Sequence, residues 1–96
     1  MNTKTMSERF APQPQDLHRA LLFATHVGAN DGPGQLAALE PVKGDPVAGM
    51  RFTVALAQTV VRTVAQLVPD EDPVEYLRGA TTAGAAILAE DEEDNA

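Results

Sequence analysis

Two histidines, His18 and His26, are the first side chains that could do chemistry, since imidazole moves protons near neutral pH and binds transition metals. They stand eight residues apart on a stretch of helical periodicity. That places them about 80° apart around the axis and two turns apart along it, too far to share one metal ion. Each reads as a surface or half-buried imidazole with a local hydrogen bond. Ser7 is the only serine, and no histidine lies near it to form a nucleophile–base pair. With no cysteine there is no disulfide framework, thiolate nucleophile or cysteine-based zinc site.

The glycine-rich stretch 28–34 lacks the Gly-Lys-Ser/Thr ending of a phosphate loop, and no strand precedes it. It does not fill the ligand positions of a calcium loop either, because Gly28 and Pro33 bring no side-chain oxygen. A helix–helix turn is the reading that remains. No metal, cofactor or catalytic constellation follows from these residues, and the chain is not expected to be an enzyme.

Carboxylates are the other reactive groups, and they are unevenly placed. Residues 1–68 carry a net charge of +1, and residues 69–96 a net charge of −8. The acidic clusters there, besides Asp70, are Glu71, Asp72 and Glu75, then the run Glu90, Asp91, Glu92, Glu93 and Asp94. Paired carboxylates do acid–base work when burial separates their pKa values. These fall at helix ends and in a terminal run, where water screens them, so they read as caps and solubilising charge. Their other use is contact with a basic surface of another protein, with Glu71, Asp72 and the run 90–94 as the binding residues. Direct binding to nucleic acid is not expected, because the phosphate backbone must be met by clustered Lys and Arg.

These groups must be positioned by helices. Met1 to Pro14 is polar and reads as a flexible arm ending in the extended segment Pro12-Gln13-Pro14. A first helix is expected from about Gln15, with Asp16 in its first turn facing the positive end of the helix dipole. Leu17, Ala20, Leu21, Ala24 and Val27 form its apolar face, and Gly28 is expected to stop it in the left-handed conformation. Asp31 can cap a short second helix through Leu36, Ala37 and Leu39.

Asp45-Pro46 then gives a strong start signal for the long third helix, about 46–68. Its apolar residues Val47, Met50, Val54, Ala57, Val61, Val64 and Val68 alternate spacings of three and four, a heptad seam. Arg51, Ala55, Gln58, Thr59, Arg62 and Gln66 form a narrow polar strip. Phe52, Leu56, Val60 and Leu67 widen the apolar side further, so this helix should be central and covered from two directions. Asp72-Pro73-Val74-Glu75 repeats the start signal, with Glu75 placed to bond back to the cap. The fourth helix, about 73–89, is poor in side-chain bulk. Its glycines, Gly84 among them, point to close approach of another helix. Residues 90–96 read as a disordered acidic tail.

The expected fold class is all-α: a small bundle of about four helices, one short, over residues 15–89. Ninety-six residues with 4% aromatics build a core of Val, Leu and Ala, which bury little area each. The apolar arc of the third helix exceeds what two short helices cover, which predicts a homodimer. The seam residues and Gly84 are the expected interface. The function expected is a helical protein–protein interaction module, a homodimer or an accessory or regulatory subunit. The alternative is an acidic inhibitor or nucleic-acid mimic that occupies a basic surface of another protein. No apolar stretch approaches the length of a membrane span and no secretory h-region opens the chain, so a cytoplasmic protein without a membrane partner is expected.

Overall fold

A computed structural model describes residues 4–94 of the chain. Among them the fold is all-α, with no strand. Its helices are α1 (Met6–Arg9), α2 (Pro14–Gly28), α3 (Gly32–Leu39), α4 (Pro46–Leu67) and α5 (Pro73–Asp94), and a 3₁₀ turn, Glu40–Val42, follows α3. The expected four helices are α2 to α5.

Three of the starts form as their residues dictate. The Asp31 carboxylate accepts from Gly34 N at 3.0 Å and caps α3. Asp45 accepts from Ala48 N at 3.1 Å at the head of α4. At the head of α5, Asp72 accepts from Val74 N and Glu75 N at 2.8 and 3.3 Å. Each cap satisfies an amide that the first helical turn leaves without a partner. Glu75 does not close the box back onto Asp72; its carboxylate pairs with Arg78 one turn on.

Three local expectations are corrected. The arm contains a helical turn, α1, capped by Thr5, whose Oγ1 accepts from Glu8 N at 3.2 Å. Thr5-Met6-Ser7-Glu8 has the spacing of a capping box. Helix α2 starts near Gln15 as expected, at Pro14, since proline at the first helical position loses no hydrogen bond. The left-handed residue after α2 is Asn30, at φ 55°, with Gly28 still helical. Asparagine tolerates that conformation better than other side chains that carry a Cβ. Finally, α5 continues past Ala89 through Asp94, because the run Glu90–Asp94 is rich in glutamate, a good helix former.

The described structure divides into two compact units, Met1–Val60 and Val61–Ala96, with the division inside α4. In the first unit Ala20 of α2 meets Phe52 and Ala55 of α4, and Leu17, Phe23, Leu39, Val42 and Leu56 pack around them. Ala20 and Ala55 are fully buried. The rings of Phe23 and Phe52 meet edge to face, 5.8 Å between centroids at 77°, an arrangement that sets a positive ring edge against a negative face.

The packing face of α2 is rotated from its expected position. On α2 the buried line is Asp16–Ala20, continued by half-buried Phe23, while Leu21, Leu22 and Val27 are exposed. On α4 Ala48, Phe52 and Ala55 are buried on one side and Val54 on the other, so Ala55 belongs to the core and not to a polar strip. In the second unit no described side chain is fully buried. Val61, Val64 and Ala65 of α4, Val68 just after it, and Leu77 and Gly84 of α5 are half-buried.

Candidate interaction surface

The side chains of α5 follow from its composition. Pro73 and Asp72 fix its start, alanines and threonines fill its middle, and five acidic residues end it. Over these 22 residues no described side chain is buried; Pro73, Leu77 and Gly84 are half-buried and the other described ones are exposed. The half-buried positions share one narrow line of the helix.

Beside that line runs Tyr76, Ala80, Ala83 and Ile87, at spacings of four, three and four, all exposed. Such spacing keeps four side chains on one face. The strip is about 16 Å long at 1.5 Å per residue. Ile87 is 61% exposed and Tyr76 47%. On the other flank Val74 and Leu88 are exposed as well.

Carboxylates frame the strip. At its amino end an open cleft of about 420 Å³ is lined by Glu71, Asp72, Glu75 and Tyr76. Asp72 and Glu75 are already engaged there, the first as helix cap and the second with Arg78. At the carboxyl end Glu90, Asp91, Glu92 and Glu93 are exposed. They sit at the negative end of the helix dipole, an unfavourable place for a carboxylate. The side chain of Asp94 lies outside the described residues.

The seam positions do not share one environment. Val54 is buried, Met50, Val61, Val64 and Val68 are half-buried, and Val47 and Ala57 are exposed. In the first unit the face of α4 that meets α2 is centred on Phe52. At 100° per residue the seam lies on roughly the opposite side of the helix. Gly84 is half-buried, and a Cβ added there would meet nothing within 4 Å beyond its own helix.

The structure also joins residues that the sequence left apart. Asp16 is 1% exposed. One of its carboxylate oxygens accepts from Gln13 N at 2.8 Å and lies 3.3 Å from Arg51 Nε, and the other lies 3.7 Å from Arg19 Nη1. Arg51 Nε is itself buried and makes no aligned hydrogen bond, so this contact is an ion pair held by charge. The i, i+3 spacing of Asp16 and Arg19 was the only local signal for the cluster. The group is a structural clamp between α2 and α4.

His26 Nδ1 lies 3.1 Å from Asp31 Oδ2, beside the cap of α3, while His18 is exposed on α2. Among the described residues no group of three or more His, Cys, Asp or Glu could hold a metal ion. A second open cleft, about 470 Å³, is lined by Leu36, Leu39, Glu40, Val42 and Lys43. No described helix is long and apolar enough to cross a membrane. No family model, curated protein or solved structure matches the chain.

Proposed function

We propose that this chain is a small protein–protein interaction module, working as a homodimer or as an accessory subunit of another protein. One observation carries the reading: α5 is 22 residues long and none of its described side chains is buried. Helices in proteins draw most of their stability from burying an apolar face, and isolated ones are marginal in water. Gly79 and Gly84 within α5 weaken it further, by about 0.5–1 kcal/mol each relative to alanine. A surface on another polypeptide supplies the burial that this helix lacks. The cysteine-free composition suits a reducing compartment, and the cytoplasm is the setting proposed.

The test captures tagged full-length protein from lysate of its own host and follows its mass by sedimentation equilibrium. Two variants run beside it: Ile87→Asp on the strip, and Thr82→Asp about 140° away around the helix. A protein or second copy held by wild type and Thr82→Asp, and lost with Ile87→Asp, supports the module. A monomer that recovers nothing, or capture indifferent to Ile87, ends the proposal.

A further inference from the structure

Resting on the interaction-module reading, we infer that the surface covering α5 is a basic amphipathic helix of another protein, and not a second copy of this chain. The occupant follows from the pattern of apolar and charged groups on one face. Tyr76, Ala80, Ala83 and Ile87 give an exposed apolar strip with a large side chain at each end and small ones between. That profile accepts a convex helix seated over the two alanines, with its own large apolar residues on either side.

Charge selects which helix. The strip has carboxylates at both ends, Glu71, Asp72 and Glu75 before it and Glu90 to Glu93 after it, with Arg78 the only base on α5. Two copies of α5 cannot pair without setting like charges together. Antiparallel pairing brings the first acidic group beside the second, and parallel pairing brings each beside itself. The whole chain carries −7, which adds to the repulsion between copies. A helix with lysine or arginine at both ends of an apolar face meets the opposite field at both ends.

The cleft at the amino end gives one of these cations a place. Its walls are three carboxylates and the Tyr76 ring, the combination that attracts a guanidinium or ammonium by charge and by the ring's negative face. At the carboxyl end, a cation would also offset carboxylates that lie against the helix dipole.

The probe is a synthetic amphipathic helix of leucine and lysine, about 18 residues long and long enough to be helical when bound. It is titrated into the full-length protein at low and raised salt. Controls are a scrambled peptide of the same composition and a leucine–glutamate peptide of the same pattern. The expected result is saturable binding of the patterned basic peptide alone. Affinity should fall about tenfold or more in Ile87→Asp. In Glu71→Gln/Glu90→Gln it should fall and depend less steeply on salt. Equal binding of the scrambled peptide, or no effect of Ile87→Asp, would show adhesion to net negative charge and overturn the inference. A dimer in sedimentation equilibrium that Ile87→Asp dissociates would overturn it as well, while leaving the module reading intact. Absence of peptide binding would overturn this inference alone, and the module reading would then stand or fall on the capture experiment.

Discussion

Arg51 reaches from α4 to within 3.3 Å of Asp16 on α2, and the carboxylate it meets is almost wholly withdrawn from water. This pair sets which faces of the two helices meet. Asp16 has a second task, since the same oxygen accepts from Gln13 N at 2.8 Å and closes the first turn of α2. Helix start and helix docking therefore share one side chain. Ala20 of α2 and Ala55 of α4 lie in the same buried cluster, with Phe52.

Removing one member of a buried ion pair costs more than the pair contributes, because the other charge is left without compensation. Asp16→Ala should destabilise the first unit by about 3 kcal/mol, the low end of what such a loss costs, since Arg51 keeps partial access to water. Asp16→Asn retains an acceptor for Gln13 N and should cost less. Urea unfolding of both variants and of Arg51→Ala checks the order. Equal stability of Asp16→Ala and wild type would show that the clamp does not hold α2 in place.

The turn between α2 and α3 offers a sharper test of local geometry. Asp31 caps Gly34 N with one oxygen and meets His26 Nδ1 with the other. A Cβ at Gly34 would collide with both the His26 ring and the Asp31 carboxylate. Gly34→Ala should thus lose the cap, about 1 kcal/mol of stability, although alanine favours helix more than glycine does. The effect must be coupled to its cause. In an Asp31→Ala background, the same Gly34→Ala change should cost markedly less, and a double-mutant cycle in thermal unfolding reads the difference. Additive effects would mean that the collision is relieved elsewhere.

Much of the helical plan was legible because its signals are local. Asp31, Asp45 and Asp72 each stand one residue before a glycine or proline that opens a helix, and each caps it. What the sequence could not show is which face of a helix turns inward. Ala55 and Arg51 sat on the polar side of α4 by composition, yet Ala55 is fully buried and Arg51 points at Asp16. The carboxylate that Arg51 meets stands 35 positions earlier in the chain, which no window of helical periodicity contains. The same limit applied to α5. Its heptad Val74, Leu77, Thr81, Gly84 and Leu88 was visible, but only Leu77 and Gly84 of that line are half-buried. The exposed strip from Tyr76 to Ile87 lies beside it. The last turn of α5 carries no sequence signal because a run of like charges has no apolar period, whereas helix propensity needs none.

The valine seam turns this into a measurement, because its members share a side chain and a register but not an environment. Val54 is 8% exposed and Val47 is 50% exposed. An aspartate at 54 would bury a charge without a partner, so Val54→Asp should cost several kcal/mol or prevent folding. Val47→Asp places a carboxylate in the first turn of α4, where the helix dipole favours it, and stability should stay within about 0.5 kcal/mol of wild type. Val61→Asp, at a half-buried site, should fall between the two. Chemical denaturation of the three variants at two protein concentrations supplies the reading. If Val47→Asp were as damaging as Val54→Asp, and more so at the higher concentration, the seam would be covered along its length by a second copy. A graded loss independent of concentration would leave the seam as packing within one chain, and α5 as the surface offered to others.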